Sequence, residues 1–231
     1  MNTHTSIVDK KQDQIKKPKA PWPTKRAMEQ VYEMHLWGGN KSEFYSGEGS
    51  HLSEIVNPYI AAVTSFLTSF ENRLSVCDLG CGDFNVGKEL VKHTKQYIAV
   101  DIVPNLIARN KETFKAENLE FQCLDLATAP LPAADCAILR QVLQHLSNAE
   151  IQSIVKKLAV YKYIILTEHL PEGTFIPNKD IISGQGNRLK KQSGVNLFVL
   201  PFNFKVEEER QLSAVVLNDG NGVIVTTLFK L

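Results

Sequence analysis

The stretch "VCDLGCGDFNVGKELV", residues 76 to 91, runs a short apolar strand into a glycine-rich turn and then into an amphipathic helix. Glycine permits a tight turn and leaves no Cβ between the backbone and a ligand. Gly80, Gly82 and Gly87 therefore mark a place where some group comes close to the main chain. A dinucleotide-binding turn, G-x-G-x-x-G, would put its third glycine at 85, where this chain has Asn. Asp78 stands before the first glycine, where a pyrophosphate has no use for another negative charge. A ligand carrying an ammonium and a sulfonium does have a use for it, because opposite charges stabilise one another in a partly dry cleft. The turn suits a cationic amino-acid nucleoside better than a dinucleotide.

Two further acids follow at corresponding places. Asp101 ends the apolar run "YIAVD", where its two oxygens suit the two hydroxyls of a ribose. Asp125 in "FQCLDLA" follows a third run; its carboxylate can accept from an adenine amino group while the Leu126 backbone N–H faces the ring. An Asp after a strand also caps helices and forms turns, but three in register at the ends of successive strands favour a ligand. Around them the pattern alternates. Strands are expected at 74–79, 96–101, 119–123, 135–139 and 162–168, and helices near 84–93, 104–115 and 148–160. Continuous apolar strands separated by helices mean an α/β domain with a parallel sheet covered on both faces. Ligands of such sheets bind outside the carboxyl ends of the strands.

The rest of the chain frames this unit. At 231 residues with 43% apolar content, one large domain with a continuous core is expected. Lys and Arg number 26 against 25 Asp and Glu, so there is no overall nucleic-acid footprint and no polybasic membrane surface. Cys77, Cys81, Cys123 and Cys136 have no CxxC spacing and read as reduced thiols, with no metal site. No signal-type segment or membrane-spanning run is present, so a soluble, cytoplasmic protein is expected, as a monomer or homodimer. Residues 1–23 read as a flexible tail and 24–231 as a single domain. Its N-terminal helical cap (24–70) has helices at 24–36 and 52–70, joined by a glycine-rich linker. Residues 170–204, rich in Gly, Pro and Asn with repeated hydrophobes, read as a substrate loop. "KVEEERQL" and "GVIVTTLFKL" read as two closing strands, with "NDGNG" as a tight turn shortly before the second.

"CDLGCGDF", "AVD" and "CLDLA" together resemble the first three motifs of class I S-adenosylmethionine-dependent methyltransferases. The resemblance implies a Rossmann-like fold: a mostly parallel seven-stranded sheet with helices on both faces and an antiparallel C-terminal strand. It implies S-adenosyl-L-methionine as cofactor, with S-adenosyl-L-homocysteine as product. "WGGNKSEFYSGEGS", "CGDFN", "YIAVDIVPNLIARN", "LQHLS", "NKDIISG" and "LPFNF" extend it to a bacterial branch of that superfamily. Three departures stand out: Phe84 where a third turn glycine is frequent, Gln141 where an Asp often follows the Arg, and Gln185 where an aromatic is common. The expected cofactor contacts are Trp37, Gly47, Gly49, Ser50, Asp78, Gly80, Cys81, Gly82, Asp101, Ile102, Asp125, Leu126, Arg140 and Gln141. Trp37 and Tyr45 offer aromatic faces to adenine or sulfonium.

Methyl transfer from a sulfonium needs alignment, exclusion of water and a place for the acceptor's proton, but no nucleophilic side chain. The expected catalytic residues are His145, Arg140 and Glu168. His145 is the proton-acceptor candidate because its ordinary pKa lies near neutrality. "HLSNAE" also reads as a helix start with Ser147 and Glu150 forming a capping box, in which His145 would simply bond to backbone. His169, Asn178 and Asp180 either line an acceptor pocket or brace their own segments. A small polar molecule is the expected acceptor. A protein or RNA substrate is the alternative within enzymes, and a cofactor-binding regulator without catalysis is the alternative outside them.

Overall fold

The computed structural model describes residues 22–40, 44–220 and 222–231. Most of the expected N-terminal tail, residues 1–21, lies outside the described residues, as do 41–43 of the linker. Among these residues the five α-helices are α1 (Thr24–Glu33), α2 (Ser53–Thr68), α3 (Gly87–Leu90), α4 (Pro104–Thr113) and α5 (Asn148–Leu158). Seven strands are β1 (Ser75–Leu79), β2 (Gln96–Asp101), β3 (Leu119–Cys123), β4 (Cys136–Arg140), β5 (Tyr163–Leu170), β6 (Glu208–Val216) and β7 (Val223–Lys230). They form one sheet in the order β3-β2-β1-β4-β5-β7-β6. β1 pairs in parallel with both β2 and β4, and β5 with β4, while β7 runs antiparallel to both β5 and β6. The single reversed strand at the C-terminus is the one expected from sequence. Among the described residues no helix is long and apolar enough to cross a membrane.

The continuous apolar runs are explained by burial on two faces. Cys77, Leu79, Ala137, Leu139, Ile164 and Leu166 belong to one core cluster, together with Ile151, Ile154, Val155 and Leu158 of α5. Their neighbours Val76, Cys136, Ile138 and Ile165 belong to the other, with Val56, Tyr59, Val63, Phe66 and Leu67 of α2. Alternate side chains of each strand thus reach opposite layers, the burial expected of a parallel sheet under helices. α5 opens with the expected capping box between Ser147 and Glu150, which satisfies N–H groups that the first helical turn leaves open.

Some boundaries differ for local reasons. The helix expected from residue 84 starts at Gly87, because Phe84 takes φ +64° and belongs to the turn. Phe84 therefore adopts the left-handed conformation of the glycine often found at this place. Its ring is fully buried against Tyr97, Phe114 and Phe121. Backbone strain of about 1–3 kcal/mol for a non-glycine residue in this region is offset by burial of a Phe side chain, roughly 1.5–3 kcal/mol. β6 begins at Glu208 and extends to Val216, later than its sequence pattern suggests, because its pairing with β7 continues to the Leu217–Gly222 hydrogen bond that closes the hairpin.

Candidate active site

The strand order reverses between β1 and β4, and a cavity of about 410 Å³ opens there at the carboxyl ends of the strands. This is where a doubly wound sheet places its ligand. The turn after β1 forms the floor. The Gly80 and Cys81 N–H groups both donate to Val100 O at 2.8 Å, and Gly82 N–H donates to Asp101 Oδ2 at 3.1 Å. Gly80 and Gly82 take φ +92° and +55°. A Cβ on Gly80 would lie 2.4 Å from Val142, and one on Gly82 would lie 2.4 Å from Ser46 Oγ. Gly87 is required by a different contact, since a Cβ there would come within 2.5 Å of the Phe84 ring and 3.0 Å of Asp78 Oδ2. Gly87→Ala is expected to destabilise the fold by about 1–3 kcal/mol through overpacking, measured by urea unfolding; a wild-type midpoint would show that the ring gives way.

Three acids rim this floor. Asp78 is buried, and its Oδ2 accepts from Tyr97 Oη at 2.9 Å. Burial raises its pKa to about 7, against the opposing effects of the Tyr97 hydrogen bond and the Arg140 charge. Asp101 is also pushed up by burial, while Val103 N–H and Gly82 N–H donate to its two oxygens. Asp125 accepts from Ala127 N–H at 2.8 Å, so it forms its own turn as well as lining the cavity.

Residues 44–51 form part of the roof, and a fourth acid, Asp83, holds them down. Its Oδ2 accepts from Ser46 N–H at 2.7 Å and lies 2.6 Å from His51 Nε2, and its own N–H donates to Ser46 Oγ at 2.8 Å. Asn85 adds a bond to Ser50 O at 2.8 Å. From β4, Arg140 donates to Gly49 O and, at 3.1 Å, to Ser50 Oγ, while its guanidinium sits 4.9 Å from the centre of the Tyr59 ring. Tyr59 Oη and Arg140 Nε are buried without a hydrogen-bond partner among the described residues. Buried polar groups left unpaired are costly, so these two are suited to an incoming polar group.

The other end of the cavity lies under the turn after β4. Gln144 Oε1 accepts from His169 N–H at 3.1 Å, which leaves its Nε2 to donate to His145 Nε2 at 3.1 Å. His145 Nδ1 then donates to Gly186 O at 3.0 Å. Both ring nitrogens are thus engaged, and desolvation beside Trp37 pushes the half-buried ring down to a pKa of about 4. The 171–204 segment closes this end. Trp37 Nε1 donates to Gln185 O at 3.3 Å and Gln185 Nε2 returns a bond to Leu36 O at 2.8 Å, joining two segments 148 residues apart.

The structure brings all the expected cofactor contacts, from Trp37 to Gln141, to this one cavity, with His145 and Arg140. Glu168 does not line it: its carboxyl is buried behind the wall, whereas His169 does reach the lining. Tyr45 stacks on His51 at 4.2 Å, outside the cavity. Asn178 and Asp180 are braces: Asn178 Nδ2 donates to Asn196 O and Leu200 O, and Asp180 Oδ1 accepts from the N–H of Asn148, where α5 starts. Asp83, Tyr59, Gln144 and Arg188 were not singled out by sequence. Asp83 had a signal, as an acid within the glycine turn; Tyr59 read only as one more apolar position of an amphipathic helix.

The sheet order and the glycine turn after β1 are those of the Rossmann-like fold that class I methyltransferases share. Residues 76–161 match the family described as a methyltransferase domain. Over 63 residues the chain is 35% identical to a malonyl-(acyl-carrier protein) O-methyltransferase of Acetivibrio thermocellus, covering 26% of this chain and 22% of that protein's length. Among solved structures it is similar to the N-methyltransferase NodS of Bradyrhizobium japonicum with S-adenosylhomocysteine, at a TM-score of 0.63 and 11% identity over 88% of this chain and 98% of that one. The magnesium protoporphyrin IX methyltransferase of Synechocystis with S-adenosylhomocysteine gives a TM-score of 0.58 and 15% identity over 90% and 100%. The cyclase SpnF shares the fold too, with a TM-score of 0.56 and 14% identity over 92% and 97%.

Proposed function

We propose that this chain binds S-adenosylmethionine and transfers its methyl group to a small polar molecule. The observation that carries the reading is the convergence of Asp78, Asp101 and Asp125, from the ends of three parallel strands, on one cavity floored by a glycine turn. In this reading Asp78 faces the ammonium, Asp101 the ribose and Asp125 the adenine edge, with the Leu126 N–H beside the ring. The unpaired Tyr59 Oη and Arg140 Nε await the carboxylate of the amino-acid end. The bound cofactor supplies a methyl group already activated on a sulfonium. The protein's own part is to hold the two reactants in line and keep water out, for which the roof of residues 44–51 and the Trp37–Gln185 contact are suited.

Calorimetric titration with S-adenosylhomocysteine beside NADH tests the first half. Selective binding of S-adenosylhomocysteine is expected; selective binding of NADH overturns the reading. The roofed cavity favours a small acceptor over a protein or RNA. A second reading, cofactor binding without methyl transfer, draws on Gln141 and Gln185 standing where the resembled proteins often have an Asp and an aromatic, and it predicts donor binding with no S-adenosylhomocysteine released by any acceptor.

His145 tests the acceptor end. His145→Ala is expected to slow turnover with donor affinity retained. With a pKa near 4 the ring stays neutral from pH 6 to 9, so the wild-type rate should show no imidazole limb over that range. Equal turnover of the two proteins would assign His145 to the Gln144–Gly186 bracing alone.

A further inference from the structure

We propose that the acceptor carries no anionic group: the acceptor end recognises an uncharged or cationic polar molecule through the carboxamides of Gln141 and Asn187. This rests on the methyl-transfer reading and names the class of its second substrate.

The argument starts from the arginines. Among the described residues two arginines bear on this end of the cavity, Arg140 in its lining and Arg188 beside the turn after β4. Arg140 donates to Gly49 O and Ser50 Oγ and lies against the Tyr59 ring, and its remaining Nε is the group proposed above for the donor carboxylate. Arg188 comes from the 171–204 segment and is 1% exposed, turned wholly into the protein. Its Nε donates to Lys179 O at 3.1 Å, its Nη1 to Leu143 O and Gln144 O at 3.1 and 3.3 Å, and its Nη2 to Leu146 O and Asn148 Oδ1 at 2.7 and 2.8 Å. That guanidinium fastens the segment to the turn after β4 and offers no N–H to a ligand.

Apart from Arg140 and the imidazoles of His145 and His169, the ionisable acid and base side chains of the lining are carboxylates, with phenols and one thiol beside them. Among the described residues lining the cavity, Arg140 is the only arginine and there is no lysine, against Asp78, Asp83, Asp101, Asp125, Glu48 and Glu150. With Arg140 Nε given to the donor carboxylate, an acceptor carboxylate or phosphate would lose its water and meet no further arginine or lysine among the described lining residues, and burying a charge without a partner is strongly unfavourable. Neutral recognition is provided for. Gln141 takes φ +56°, and its side chain lies against Gly49, so close that a Cβ there would stand 2.3 Å from Oε1. Asn187 Oδ1 accepts from Leu189 N–H at 3.1 Å, which fixes the amide and leaves Nδ2 for another partner. A carboxamide both donates and accepts, which matches a hydroxyl, an amide or a ring nitrogen. Leu217 and Ile224, at the hairpin end of the lining, supply an apolar surface for the rest of such a molecule.

The test uses the full chain with S-adenosylmethionine. A small-molecule extract of the organism that encodes the protein is divided by ion exchange into anion-retained, cation-retained and unretained fractions, and S-adenosylhomocysteine formation is measured with each. The unretained and cation-retained fractions together are expected to stimulate at least tenfold more than the anion-retained one. Stimulation mainly by the anion-retained fraction overturns the proposal, whereas stimulation by none of the three while S-adenosylhomocysteine still binds is the outcome of the second reading and overturns the methyl transfer on which the proposal rests. Failure of S-adenosylhomocysteine to bind is a separate result, and it removes the methyltransferase reading itself.

Discussion

Asp78→Asn is expected to weaken S-adenosylhomocysteine binding about 10- to 100-fold, or roughly 1.4–2.7 kcal/mol, and at the same time to make the ligand-free protein more stable at pH 8. The two effects have one origin. Asp78 is buried beside Tyr97, and burial holds its pKa at about 7. A carboxylate in that position is poorly solvated until a cation arrives, and the product keeps the ammonium that Asp78 is proposed to face. In the wild type, affinity should therefore rise with pH up to about 7 and level off above it; in the Asn variant it should be flat. The stability effect runs the other way. The folded pKa lies above the unfolded value of 3.8, so the contribution of this group is fully present below 3.8 and is lost as pH rises to about 7. A shift of about three units corresponds to at most about 4 kcal/mol, which the amide should recover in large part. Titrations at pH 6 and 8, with urea unfolding at the same two values, separate the outcomes. Equal affinity in wild type and variant at pH 8 would remove Asp78 from the donor site.

The sheet and the floor of the site were legible because both are local in sequence. β1, β2, β4 and β5 announce themselves as apolar runs, and Asp78, Asp101 and Asp125 lie at or beside strand ends, so three short segments were enough to predict a common ligand. Phe84 was readable as a departure, although the way the chain accommodates it was not. That depends on Tyr97, Phe114 and Phe121 enclosing a ring whose backbone keeps the glycine conformation. The roof was least legible. Its attachments join Asp83 to Ser46 and His51, Arg140 to Gly49, and Gln185 to Leu36. No periodicity links residues that far apart, and a lone Arg188 among lysines does not reveal that it is the buried one. His145 shows the same limit, since the capping box beside it was visible while its bonds to Gln144 and Gly186 were not.

Glu168→Gln is expected to stabilise the protein at pH 8 and above, with about 5 kcal/mol as the upper bound of the gain. Glu168 sits on β5 behind the cavity wall at 3% exposure, and neither carboxylate oxygen has a hydrogen-bond partner within bonding geometry among the described residues. Burial raises its pKa to about 8, although the Arg188 charge and the nearby Gln144 and Leu143 amides favour the anion. The folded value is again above the unfolded one, here 4.5. Its contribution is therefore complete below pH 4.5, declines as the unfolded chain releases a proton that the native state keeps, and levels off above pH 8. About three and a half units at roughly 1.4 kcal/mol each set the upper bound. The neutral amide abolishes that slope at nearly constant volume. Urea unfolding of wild type and variant at pH 5, 6.5, 8 and 9 should give a difference that widens with pH and is constant between 8 and 9. A difference independent of pH would mean that Glu168 is already ionised at pH 5, held by Arg188 as an ion pair. The variant also addresses catalysis, because a carboxyl outside the cavity lining acts on the reaction only through its neighbours. Donor affinity should be unchanged by Glu168→Gln, and turnover should change only so far as Gln144 and His169 move with it.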